Sequence, residues 1–179
     1  MSVVKRKNNK AKECAYTAVF VAFTLVAQLA FSFVAGVEIV TLLFFAYAFV
    51  FGAKRGAIVG LVFPVVRQLL FGFFPSVLIL YLVYYPLVSV VIGLLGRGGK
   101  PLKKYPLILV FAVVLTATFT LLDDIITPLY YGLGWEQTRG YFYASLPVMC
   151  VQMVSAGVTV AVGFLPLCKA FGIIKGNLS

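Results

Sequence analysis

Residues 37–73 read VEIVTLLFFAYAFVFGAKRGAIVGLVFPVVRQLLFGF. Two apolar runs, Val37–Phe51 and Ala57–Phe73, flank a turn, Gly52-Ala-Lys-Arg-Gly56, that carries two adjacent cations. Each run holds a single charged residue: Glu38 at the start of the first and Arg67 inside the second. Neither alternates apolar and polar positions in the manner of a barrel strand, and an open sheet cannot stand in lipid. The stretch therefore reads as two helices that cross a bilayer in opposite directions, joined by a short basic turn.

Outward from this pair the pattern recurs. A helical span needs about 20 mostly apolar residues, with a range of about 17–25. Cys14–Val34, Ser76–Leu95, Pro106–Ile126 and Phe142–Cys168 satisfy it, which makes six spans with the central two. The last is long enough to tilt or to end in an interfacial stretch. The whole chain agrees: 179 residues, 63% hydrophobic, 11% charged and a mean hydropathy of +1.07. A soluble domain is about 45–50% apolar and about 25% charged, and one of this size has too little interior for so much apolar surface. No long polar linker divides the sequence. The expected fold is an all-α integral membrane protein, one six-helix domain over residues 1–179 with a basic tail at 1–13. The first apolar run exceeds a signal-peptide core and no A-x-A site follows it, so it reads as a retained span.

Charge gives the bundle a direction. Lys5, Arg6, Lys7, Lys10 and Lys12 precede span one, Lys54 and Arg55 join spans two and three, Arg97, Lys100, Lys103 and Lys104 join four and five, and Lys169 and Lys175 follow six. Thirteen of the fifteen cations thus fall on one side, which the positive-inside rule makes cytoplasmic, together with both chain ends. Glu38, Asp123, Asp124 and Glu136 fall on the other side. The net charge of +10 is then accounted for without nucleic acid. There is no histidine, and Cys14, Cys150 and Cys168 form no close pair; Cys–His metal sites and histidine-dependent triads are excluded. The cysteines read as small packing residues. Neither a G-x-x-x-x-G-K-[ST] phosphate loop nor a G-x-S-x-G elbow occurs. No enzyme, metal or cofactor is expected.

Polar residues inside the spans are the candidates for function. An arginine at mid-bilayer costs about 2.5–3.5 kcal/mol on insertion scales. Arg67, beside Gln68 and one turn after Pro64, should face the bundle interior and hold an anion, for which Asp123 and Asp124 are the obvious candidates. It is either a structural ion pair or a substrate-facing charge. Adjacent aspartates point about 100° apart on a helix, so one of the two joins the site. Ser145, Met149, Gln152 and Ala156 share a face of span six, and Gln152 needs a hydrogen-bonding partner on another helix or on a ligand. Tyr81, Tyr84 and Tyr85 in span four also need acceptors. The connection from Thr127 to Tyr141, TPLYYGLGWEQTRGY, forms either an aromatic belt or the wall of an outward pocket. Ala18-Val-Phe-Val-Ala22 is a small-xxx-small patch, suited to close helix approach.

Together these features resemble the substrate-binding membrane subunits (S components) of energy-coupling factor (ECF) transporters, which import vitamins and related micronutrients across the plasma membrane of prokaryotes. The resemblance covers nearly the whole chain. It rests on size, six spans, cytoplasmic ends, the Ala18-x-x-x-Ala22 patch and the run LLFFAYAFVFGAKRGAIVGLV from Leu42 to Val62. It implies a multi-pass protein that binds a small water-soluble vitamin-like substrate near the outer face. Ala18 and Ala22 would dock onto a membrane-embedded coupling subunit joined to two ATP-binding subunits, and the whole component would topple in the membrane to release its ligand. LYLVYYPLVSVVIGLLGR and YASLPVMCVQ are broadly similar to the thiamine-binding branch, with Leu80 standing where that branch has an acidic residue. The connection around Ala35–Glu38 is brief, which leaves Tyr130 to Tyr143 to cover the site. In such a site Tyr81, Tyr131 and Trp135 stack on a flat heterocycle and Arg67, Asp124, Glu136 and Arg139 fix its polar edge, with Tyr84, Asp123 and Gln152 beside them. A self-sufficient small-solute carrier or channel, and a membrane-bound enzyme or assembly factor, are the alternatives. The lack of an internal repeat counts against a carrier.

Overall fold

The computed structural model describes the backbone of residues 2–31 and 38–176, and side chains from Cys14 onward within those ranges. The basic side chains before Cys14, the end of the first expected span and most of the Ala35–Glu38 connection lie outside the described residues. Within them the chain is all-helical: α1 (Ser2–Phe31), α2 (Ile39–Phe51), α3 (Ala53–Phe71), α4 (Pro75–Leu95), α5 (Pro101–Tyr131) and α6 (Trp135–Gly176). The Cys14–Phe31 part of α1 and the whole of α4, α5 and α6 are long and apolar enough to cross a membrane.

α2 is the exception that organises the rest. Every residue from Val40 to Phe49 is buried, and α1, α3, α4 and α6 all pack on it. A helix that is apolar all round belongs in an interior, and α2, at 13 residues, is the short central post of the bundle. Aromatic rings fill the space around it. Phe44 stacks on Tyr85 at 4.5 Å and meets Phe63 edge-on at 5.3 Å, while Phe20 of α1 stacks on Tyr47 at 4.1 Å. The outer helices turn aliphatic ridges outward: Val151, Val154, Val158 and Val162 on α6, and Leu107, Val110, Val114, Leu121 and Ile125 on α5. Exposed apolar surface on this scale is tolerated where the solvent is lipid.

α3 and α4 approach to backbone contact. Gly56 and Gly60 form a G-x-x-x-G pair on α3, and a Cβ at Gly60 would stand 2.8 Å from the Tyr85 carbonyl carbon. The turn between these helices is clamped by Gln68, whose Oε1 accepts from the Phe74 N–H at 2.7 Å and whose Nε2 donates to the Phe74 carbonyl at 3.3 Å. At the other end, Lys104 donates to the carbonyls of Arg97 (2.7 Å) and Leu95, and Lys175 donates to Val50 O at 2.5 Å. These carbonyls terminate α4 and α2, where cations are favoured. The bundle therefore has a basic end and, opposite it, an end carrying Glu38, Asp123, Asp124 and Glu136.

Several expected boundaries shift: α3 starts at Ala53, so that Lys54 and Arg55 fall in its first turn, and α6 runs from Trp135 to Gly176. α5 starts at Pro101 instead of Pro106, since proline suits the first helical position. The expected loop Thr127–Tyr141 shrinks to Gly132–Gly134. Gly132 closes α5 in the left-handed conformation at φ 63°, and Gln137 Oε1 accepts from the Gly134 N–H at 3.1 Å, half of a capping box that starts α6.

Candidate functional site

Glu38 of α2 lies level with Ser155 of α6, because the Glu38 N–H donates to Ser155 Oγ at 3.1 Å. α6 begins 20 residues earlier, at Trp135, so at 1.5 Å per residue it runs on for about 30 Å beyond that level. α5 accompanies it. The α5–α6 hairpin thus stands over the shorter helices, and its inner faces carry polar residues in register. Thr116, Thr120, Asp124 and Thr127 recur every third or fourth residue on α5, and Ser145, Gln152, Ser155 and Thr159 do so on α6 with one gap.

Cross-helix hydrogen bonds zip this seam. Thr120 Oγ1 donates to Gln152 Oε1 at 3.1 Å, Ser145 Oγ to Asp124 Oδ2 at 2.7 Å, and the Tyr141 hydroxyl to Asp123 Oδ2 at 2.7 Å; Thr127 donates to Asp123 Oδ1 at 2.7 Å from one turn away. A cleft of about 270 Å³ opens along the seam, lined by Phe119, Thr120, Asp123, Tyr141, Ala144, Ser145, Val148 and Gln152. Drug-sized ligands fill about 300–1,000 Å³, so this cleft suits a small one. Its wall combines two rings, aliphatic groups and hydroxyl, amide and carboxyl oxygens. Such a surface can hold a compact organic molecule by its flat faces and its hydrogen-bonding edge. Asp124 is buried behind it with Oδ1 left without a partner.

Arg67 reaches the same region from α3 by way of aromatic rings. Its guanidinium carbon lies 4.8 Å from the Tyr81 ring centroid and 5.4 Å from that of Phe71. The Tyr81 ring is 5.6 Å from Phe119, which lines the cleft. Tyr84 packs edge-on against Phe119 at 4.9 Å and donates to the Leu115 carbonyl at 3.0 Å.

The expected ion pair between Arg67 and Asp123 or Asp124 does not form: among the described residues the one ion pair is between Arg139 and Glu136, 3.6 Å apart on the first turns of α6. Hydroxyl donors already occupy the aspartates, and ring faces hold the guanidinium. Both aspartates join the seam, instead of one, because Tyr141 and Ser145 sit one turn apart on α6 and meet one each. Of the expected site residues, Asp123 and Gln152 line the cleft, Asp124 backs it, Tyr81 and Tyr84 adjoin it through Phe119, and Arg67 lies one ring further away, against Tyr81. Tyr131, Trp135, Glu136 and Arg139 lie exposed on the hairpin tip, away from the cleft lining. Thr120, Tyr141 and the anchoring of Glu38 were not anticipated. The threonine spacing on α5 is the sequence signal that points to Thr120; no comparable pattern marks Tyr141 or Glu38.

No family model matches the chain, and neither a curated protein nor a solved structure matches it.

Proposed function

We propose that this chain is a substrate-binding S component of an ECF-type transporter: a six-span plasma-membrane protein of a prokaryote, with both ends cytoplasmic. It captures a small water-soluble vitamin or related micronutrient from outside for import driven by ATP-binding partners. The observation that carries this function is the small cleft between α5 and α6, where hydroxyl, amide and carboxyl groups are set among apolar ones at the end of the bundle opposite its basic end, in a molecule whose helices expose many large apolar side chains. By the charge rule that end faces outward. Capture follows from the cleft's chemistry. A ligand that satisfies its buried oxygens and amide is retained, and one that leaves them unpaired is rejected.

A second feature supports the division of labour. Ala18 and Ala22 lie exposed on α1, one turn apart, beside exposed Val19, Phe23 and Val26. Small residues on an uncovered face let another membrane helix approach closely. Nothing in the sequence provides a phosphate loop for ATP hydrolysis, so energy comes from the partners, through a coupling subunit docked at this patch.

Ala18→Trp and Ala22→Trp test the assignment. Each should abolish co-purification with the coupling subunit and its two ATPases, and abolish uptake, while the small molecule carried by the purified chain is retained. Intact assembly and transport in both variants contradict the docking role. Uptake into vesicles containing only this chain contradicts the S-component assignment.

A further inference from the structure

Resting on that function, the geometry points to the chemical class of substrate: we propose that Arg67 recognises an oxyanion, a carboxylate or phosphate, on a small ring-bearing molecule. Every acidic side chain at this end of the bundle has at least one oxygen engaged by a neighbour. Glu38 accepts from Thr41, Asp123 from Thr127 and Tyr141, Asp124 from Ser145, and exposed Glu136 pairs with Arg139. Arg67 differs. It makes no hydrogen bond or ion pair with any described residue, and its Nε is buried without an acceptor.

The two rings that hold it, Phe71 and Tyr81, offer π faces to the guanidinium plane and leave its N–H edge unused. A guanidinium has five donors in a fixed fork that fits carboxylate and phosphate oxygens bidentately. The residue as a whole is of intermediate exposure, so it is not sealed in the core. Its position is fixed by the next residue, Gln68, whose double hydrogen bond to Phe74 sets the end of α3. From Arg67 an unbroken aromatic path, Tyr81 then Phe119, leads into the cleft. A molecule with its ring along this path and its anionic group on Arg67 satisfies both. An anionic lipid headgroup offers the same oxyanion without the ring, which separates the two sources experimentally.

The test uses the purified full chain in neutral detergent, with benzoate, its neutral analogue benzamide and benzylammonium as probes, read by thermal shift and by titration of intrinsic fluorescence. Benzoate should stabilise the parent protein, while benzamide and benzylammonium should not. Arg67→Gln should weaken benzoate binding by roughly tenfold or more, as expected for loss of a bidentate charge-assisted contact, and Arg67→Lys should fall between. Arg97→Gln, at the basic end, should leave it unchanged. The melting transition of each variant without probe shows that it is folded. Equal responses to benzoate and benzamide, or a benzoate response that survives Arg67→Gln in folded protein, overturn the proposal. So does phosphatidylglycerol, retained by the parent and lost from Arg67→Gln in native mass spectrometry, if it also blocks benzoate. If benzoate binds through Arg67 but the chain never assembles with ATPases, the anion site stands and the transporter assignment falls. Assembly without any benzoate response has the opposite meaning.

Discussion

Ser145→Ala should destabilise the protein more than removal of the carboxyl group that Ser145 serves. Asp124 is 5% exposed, its Oδ1 has no partner, and Ser145 Oγ, at 2.7 Å, is the one donor to its Oδ2 among the described residues. Deleting that hydroxyl strands a buried carboxyl group, which costs about 2–3 kcal/mol. The reverse deletion is cheaper. The same hydroxyl lies 2.8 Å from the Phe142 carbonyl, so in Asp124→Val the serine keeps an acceptor. The variant also removes an orphaned buried oxygen, and valine and aspartate have similar helix propensities, so its cost should stay below about 1 kcal/mol. The double variant should return close to Asp124→Val alone, a strongly non-additive result for residues in direct contact. Reversible unfolding in mixed micelles, followed by circular dichroism, measures all three. Ser145→Ala within about 0.5 kcal/mol of the parent, or additivity in the double variant, would refute the partnering of Asp124 described above.

Other outcomes follow from the packing and from the cleft. Gly60→Leu should push α3 from α4, since even a Cβ there meets the Tyr85–Pro86 backbone at 2.8 Å; overpacking costs about 1–3 kcal/mol, read in the same unfolding assay. Gln68→Leu removes both bonds to Phe74 and should cost about 1–3 kcal/mol, while also weakening benzoate binding because Arg67 loses its fixed platform. Tyr141→Phe should leave Asp123 with Thr127 alone and alter ligand affinity at the cleft with a small effect on the melting transition; an unchanged affinity contradicts a role for the cleft.

The helices were legible because hydropathy separates them: six apolar runs became six helices, although the basic turn is tighter than read, since Gly52 alone separates α2 from α3 and Lys54 and Arg55 lie in the first turn of α3. The central placement of α2 was less evident, although its uniformly apolar sequence from Val40 to Phe49 is what an interior helix requires. The tip of the α5–α6 hairpin looked like a loop because glycines and rings crowd it; the Gly134–Gln137 spacing is the cap signal that shortens it. Arg67, Tyr81, Tyr84, Asp123, Asp124 and Gln152 could be picked out because lipid penalises polar groups and they persist. Their pairing could not. Which oxygen meets which donor depends on how helices rotate about their axes, and a one-residue rotation of about 100° decides whether Arg67 faces a carboxylate or a ring. The exposed rings at Tyr131 and Trp135 show the same limit, since interfacial and pocket-lining aromatics share one composition.

The most direct measurement is affinity purification of the full chain from its native membrane in mild detergent, with identification of the proteins that accompany it. The proposed function predicts one multi-pass coupling subunit and two ATPases carrying phosphate loops, all lost together in Ala18→Trp. Recovery of the chain alone, with solute uptake by vesicles that contain nothing else, would contradict it.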